Sequence, residues 1–365
     1  MLHMTDIDDT TGPARRPERT RRQVLRPALA VAAAAALPAT AVPARAHAAP
    51  PGGHEQHRGG KQHKGVRVLE EKRSGRLVDL TFDSPSMGGP AHLRLLTPDR
   101  PRRAGGPWPV LWMLPGGDGD HRALLRRYSL DSRAELRDVL VVMPWMPVFG
   151  FYSDWWNGGR GGPPAVASYH LGEVLPFVER EYGAGPLRVV AGESMGGFRA
   201  LSYTARYPRL FRAAASYSGY VHPLRHPRAV RAGATHVGLD WLALWGDPVE
   251  QRGNWQAHDP YHLAERLVGV PVHLSAGDGR AGPLNPPDAK PDPVIPGLED
   301  PAHPFPEDVL SPTETLMREE TRLLARRLLG HGAPVTTHFH SGTHDPVYWA
   351  REFDRTLPGL LRHLG

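Results

Sequence analysis

A mainly parallel α/β sheet with helices on both faces is the fold that the sequence predicts. Three observations predict it. Short apolar runs rich in branched residues recur from about Val66 onward, at "PVLWMLP", "VLVVMP", "LRVVAG", "AAASYSG", "PVHLSAG" and "VTTHFH". Stretches of helical period separate the later runs, so each strand has a crossover available to return it parallel to the last. And one run, "LRVV", passes through the glycine-rich turn "AGESMGG" directly into the helical pattern "FRALSYTARYP".

The elements follow in order. "RLVDLTF" and "AHLRLLTP" have no helix between them, which predicts an antiparallel hairpin at the sheet edge. "YHLGEVLPFVEREYG" carries apolar residues at helical spacing, with Gly183 as its stop. "SPTETLMREETRLLARRLLGHG" has proline near its start, acids early, arginines late and glycine at its end, the charge order that a helix dipole favours. "DPVYWAREFDRTLPGLLRHLG" predicts a final helix, broken or kinked at Pro358. Residues 280–310 hold many prolines and no period, and read as a long surface loop or insertion, lid or inert.

The N-terminus reads differently. Thr20-Arg21-Arg22-Gln23-Val24-Leu25 precedes an alanine-rich run and the small residues of Ala46-His47-Ala48, which predicts a twin-arginine export signal over residues 1–48. The apolar run is too short and proline-broken to span a bilayer. Residues 49–65, rich in Gly, Pro and His, predict a disordered linker, and His54, His57 and His63 there read as solvated rather than metal-binding. One domain is left, over 66–365. Residues 1–48 take seven arginines and four acids from the chain's 44 basic and 38 acidic residues, which lowers the net charge from +6 to +3. No long basic run stands in the folded part, so nucleic acid is not the expected partner. An anionic cell wall is compatible with that mild charge. The chain has no cysteine, which excludes thiol nucleophiles, disulfides and cysteine zinc sites.

The strand–turn–helix around Gly192-Glu193-Ser194-Met195-Gly196 is the context of the G-x-S-x-G nucleophile elbow of α/β-hydrolases. Its bland alternative is a crowded corner that needs small residues. A serine hydroxyl needs a base, and in this fold the order is serine, acid, histidine. His344 follows "VTTHFH" and precedes the last helix, where that histidine belongs. His338 and His340 lie in the strand and His331 ends a helix, positions that suit structure or surface. Two acids compete. Asp278, ending "PVHLSAGDG", holds the ordinary position after a strand, and the pattern alone leans to it; Glu314 opens a helix further on. An oxyanion hole would draw one N–H from Met195 and another from the glycine loop "PGGDG", with Gly117 as the choice. Asp118, Asp120 and His121 match no metal-ligand spacing, and neither metal nor cofactor is called for. Trp155, Trp156 and Trp241 are candidates for an acyl pocket, with core packing the commoner fate of such residues.

"SPSMGGPAHLRLLTP", "MPWMPVFGFYSDWW", "GESMGGFRAL" and "SGTHDPVYW" together resemble the antigen 85 mycolyltransferases and related secreted actinobacterial esterases, over roughly residues 76–364. The resemblance implies an α/β-hydrolase with a Ser-Glu-His triad acting on acyl esters. It also implies Glu314 as the acid, because that family has a glutamate at this helix start and asparagine in a "GNG" turn where this chain has Asp278. The first oxyanion loop departs from the family. Pro115 and Asp118 stand where the mycolyltransferases carry an aspartate and an arginine that help to bind trehalose. Pro346 replaces a tryptophan after the histidine. The sequence therefore leads to an exported serine esterase on Ser194, Glu314 and His344. Its rivals are an acyltransferase that passes the acyl group to a sugar or other alcohol, and a non-catalytic binding protein on the same fold.

Overall fold

The computed structural model describes residues 66–99 and 107–365. The export signal and the linker predicted over 1–65 lie outside the described residues.

Among the described residues nine strands form one sheet in the order β1-β2-β3-β5-β4-β6-β7-β8-β9. They are β1 (Arg67–Ser74), β2 (Leu77–Ser84), β3 (Gly89–Leu96), β4 (Trp108–Leu114), β5 (Leu140–Pro144), β6 (Ala184–Glu193), β7 (Ala214–Tyr217), β8 (Val272–Gly277) and β9 (Val335–His340). From β5 to β9 every neighbouring pair is parallel. The predicted hairpin, β2 with β3, is antiparallel, and β3 joins β5 antiparallel. It is not the sheet edge, however. The outermost strand is β1, "RVLEEKRS", exposed along its length and studded with charges. Its lack of an apolar alternation hid it from the pattern, and the same charges guard an open edge against pairing with another chain.

The helices are α1 (Ala123–Arg127), α2 (Val166–Ser168), α3 (Leu175–Tyr182), α4 (Met195–Arg206), α5 (Pro227–His236), α6 (Trp241–Trp245), α7 (Arg252–His258), α8 (Pro312–Gly330) and α9 (Pro346–Leu361). They cover both faces, because the central strands are apolar on both sides. Val110, Trp112 and Leu114 of β4 point into a core shared with α3, α4 and α8. Leu111 and Met113, the alternate residues of the same strand, point into a second core with Leu124 of α1 and Phe353 and Leu357 of α9. Gly183 ends α3 in the left-handed conformation, as the sequence predicts. The helix α9 runs through Pro358 for three more residues rather than breaking there. Residues 280–311 form neither helix nor strand, yet Leu298 and Val309 are buried, so this loop is packed down on the body.

The chain leaves β4 for β5 on one side and then crosses to β6 on the other. The loops after β4 and β6 therefore part at the carboxyl ends of two central neighbours, the crevice that open α/β sheets use for ligands.

Candidate active site

Ser194 stands in that crevice, between the end of β6 and the start of α4. Its backbone has φ 53° and ψ −121°, a conformation that side chains other than glycine rarely adopt. The turn is possible because its neighbours are glycine. A Cβ on Gly192 would lie 2.3 Å from the Gly196 carbonyl, and one on Gly196 would lie 2.1 Å from the Leu114 carbonyl oxygen. The N–H of Ser194 donates to the Tyr217 carbonyl of β7 at 2.8 Å. Glu193, fully buried, accepts from the guanidinium of Arg127 and the hydroxyl of Tyr128, which ties the strained turn to α1.

A line of hydrogen bonds leads away from the serine. Ser194 Oγ lies 3.0 Å from His344 Nε2, and His344 Nδ1 lies 2.6 Å from Glu314 Oε2. Because a carboxylate only accepts, the proton of the neutral ring sits on Nδ1 and Nε2 is left as the acceptor for the serine hydroxyl. Glu314 is fully buried, and its other oxygen accepts from Ser218 Oγ at 2.7 Å and from the Gly277 N–H. The His344 N–H donates to Ser311 Oγ at 3.2 Å, and its ring packs edge-on against Trp349 at 4.8 Å.

The loop after β4 completes the crevice. A Cβ on Gly116 would sit 3.6 Å from the Ser194 Cβ, and one on Gly117 would sit 3.3 Å from the Met195 side chain. Met195 opens α4, so its N–H has no carbonyl within the helix to bond. Gly117 accepts from the Phe149 N–H through its carbonyl at 2.8 Å, and Pro115 accepts from the Tyr152 hydroxyl at 2.6 Å. The "VFGFYSDWW" segment thus braces the glycine loop against the serine.

A model of the Esterase family, described as "Putative esterase", matches residues 84–360. The chain belongs to this family. It is 26% identical over 314 residues to the esterase Rv1288 of Mycobacterium tuberculosis, a match that covers 82% of this chain and 62% of that protein. It therefore spans less than two thirds of that relative's length. Over 236 residues it is 28% identical to the diacylglycerol acyltransferase/mycolyltransferase Ag85B of Mycolicibacterium smegmatis, covering 62% of this chain and 67% of that one. The crystal structure of Mycobacterium tuberculosis MPT51 superposes with a TM-score of 0.56 at 20% identity, over 77% of this chain and 96% of that chain. The α/β-hydrolase fold and the antigen 85-like branch of the esterase family are thus established.

Among the two acids weighed in the sequence, only Glu314 meets the histidine. Asp278 accepts instead from the Gly342 N–H at 3.2 Å, Ser341 Oγ at 3.0 Å and the Arg280 N–H at 3.1 Å, with the Arg318 guanidinium 3.6 Å away. It clasps the loop that carries His344. Burial pushes its carboxyl upward, but those donors and Arg318 outweigh burial and hold it below the usual aspartate range. Of the other histidines, His338 binds Glu352 at 2.8 Å, His340 stacks on Tyr348 and His331 is exposed. Trp155 and Trp241 pack against the main core.

Asp120 caps the N–H groups of Arg122 and Ala123, and Asp118 accepts from the Asp120 N–H, so both serve their own turn. Among the described residues His222, Asp259 and His262 bring ligand-type atoms within 4.8 Å of one another. Asp259 there already accepts from His222 Nδ1, the Leu224 N–H and the Tyr261 N–H, which gives it a full structural role.

Sequence reasoning missed Glu193, Ser218, Ser311 and Trp349. Only Glu193 carried a signal, a carboxylate inside an otherwise small-residue turn. A cavity of about 520 Å³ also reaches His344; its walls come mainly from residues 291–313, with His236 from α5.

Proposed function

We propose that this esterase-family protein is an exported serine ester hydrolase, with Ser194 as nucleophile, His344 as base and acid, and Glu314 as the partner of the imidazole. In the proposed cycle Ser194 Oγ attacks the ester carbonyl carbon as His344 Nε2 takes the hydroxyl proton. The carbonyl oxygen becomes an oxyanion between the N–H groups of Gly117 and Met195. The carbon–oxygen bond to the alcohol then breaks, and the leaving oxygen takes the proton from His344. Water enters, gives its proton to His344 and attacks the acyl carbon. The bond to Ser194 Oγ breaks, the acid leaves, and the proton returns to the serine. Glu314 keeps Nδ1 protonated and stabilises the ring while it is charged.

The observation that carries this reading is the continuous line from Ser194 Oγ through His344 to a buried carboxylate, starting at a serine with positive φ. Export rests on the twin-arginine pattern at Thr20–Leu25. Among the described residues no helix is long and apolar enough to cross a membrane.

Likeness to an acyltransferase favours a second reading, in which an alcohol replaces water in the second half of the cycle. The two share every catalytic residue named here. The test is hydrolysis of p-nitrophenyl esters from acetate to long acyl chains, beside Ser194→Ala and His344→Ala. Turnover that both variants lose supports the hydrolase. A folded protein that turns over no ester, yet transfers an acyl group when alcohols are added, supports the transferase. A folded protein that neither turns over esters nor is labelled by a covalent serine-hydrolase probe removes both.

A further inference from the structure

The cavity of about 520 Å³ touches His344, and its lining includes neither Ser194 nor Gly117 nor Met195. That asymmetry has a chemical meaning under the hydrolase reading, on which this inference rests. In ester cleavage the acyl oxygen lies against the oxyanion donors, while the leaving alcohol lies against the group that will protonate it. A cavity built on the histidine side is therefore on the alcohol side. Its volume is within the range of sites for ring-sized ligands.

Its chemistry is one-sided. Ile295 and Phe305 give apolar walls, the carboxyl groups are Asp292, Glu299 and Glu307, and the basic groups are only the imidazoles of His236 and His344, with no lysine or arginine. Asp292 is half-buried, whereas Glu299 and Glu307 are exposed. Asp292 accepts from Ser311 Oγ, the hydroxyl that in turn accepts the His344 N–H. Glu299 is held in place by the Phe305 N–H at 2.8 Å. An anionic leaving group would enter an apolar recess facing three carboxyl groups; a cation would be drawn to it, and a neutral polyol would find acceptors there.

We propose that this recess, built by the 291–313 segment, receives the alcohol part of the ester and selects ring-bearing alcohols that are neutral or cationic over anionic ones. The loop that the sequence marks as an insertion, lid or inert, then sets substrate choice.

The test uses three phenyl acetates that differ only in a meta substituent on the phenol: none, trimethylammonium or carboxylate. Each kcat/KM is divided by that ester's rate with hydroxide, which removes the difference in leaving-group reactivity. The expected result is a preference for the cationic over the anionic ester of about tenfold or more at low salt. It should shrink towards one in Asp292→Asn combined with Glu299→Gln and Glu307→Gln. Reading the ratio cancels any general loss of turnover in the variant. A second series carries the same charges in the acyl part, and should show a smaller preference. Turnover of the neutral ester with a ratio near one, or with the anion preferred, overturns the inference and leaves the hydrolase standing. So does a stronger charge preference in the acyl series. Turnover of none of these esters, in a folded protein that also hydrolyses no p-nitrophenyl ester of any chain length, overturns both.

Discussion

Glu314 and His344 meet side chain to side chain, Oε2 to Nδ1 at 2.6 Å, although 30 residues separate them in the chain. The carboxylate sits in the first turn of α8 and the ring in the loop after β9, and the parallel pairing of β8 with β9 brings the two together. Ser218 and Gly277 fill the other oxygen, so the carboxylate has no freedom to swing away.

On the proposed cycle, Glu314→Gln loses the tautomer control and the charge that stabilises the imidazolium. The kcat for a p-nitrophenyl ester should fall by about a thousandfold or more with a smaller change in KM. Asp278→Asn should cost less than about tenfold, since it only loosens the 341–342 turn. Steady-state kinetics of both variants decide; the reverse order of effects would make Asp278 the acid.

Glu193→Ala should act on the same rate from behind the serine. It strips the partner from Arg127 and leaves the Tyr128 hydroxyl buried without an acceptor, for a loss of about 2–4 kcal/mol. Urea unfolding should show that loss, and turnover should fall as the positive-φ turn relaxes. Unchanged stability would mean that the clasp contributes nothing.

Gly196→Ala should be more severe. Its Cβ would press into the backbone of Leu114 and Pro115, and backbone cannot rotate away. A loss of at least about 3 kcal/mol, or failure to accumulate soluble protein, is expected. Soluble protein with parental activity and melting temperature would contradict the packing described here.

Acid should unfold this protein readily. Burial above all holds His121 down to about 4, and His170 and His258 to about 3. In the unfolded chain such rings titrate near about 6.5. Between that value and about 3 the unfolded state binds more protons, so stability falls as the pH falls. Glu352 adds to the same trend. Burial raises its carboxyl, but His273, His338 and Arg351 prevail and bring it to about 2, so its contribution is present above about 4.5 and lost as the pH falls towards about 2. Melting temperatures from pH 7 to 4 should drop steadily. His258→Gln should reduce the slope of unfolding free energy by up to about 1.4 kcal/mol per pH unit. An unchanged slope would mean that His258 does not resist protonation.

The sequence by itself determined what is encoded locally. Alternating and unbroken apolar runs marked eight of the nine strands, because burial on one or both faces leaves a period in the chain. The small residues around Ser194 marked a turn that only glycine can make, and Gly183 marked the end of α3. The strand β1 escaped, since an exposed charged edge has no period to read.

Tertiary structure decided the rest, because the deciding contacts join residues far apart in sequence. The local pattern leaned to the turn at Asp278 over the helix start at Glu314, and only the resemblance favoured the second. The two carboxyls differ in which way the β8–β9 end of the sheet turns them, one to Ser341 and Gly342 and the other to His344. Ser218 and Ser311, ordinary residues in their own segments, acquire their partners only when β7, α8 and the histidine loop converge. The recess beside His344 has no local signature either. A proline-rich stretch without period becomes a wall only when Leu298 and Val309 anchor it to the body, and that burial is a property of the folded chain.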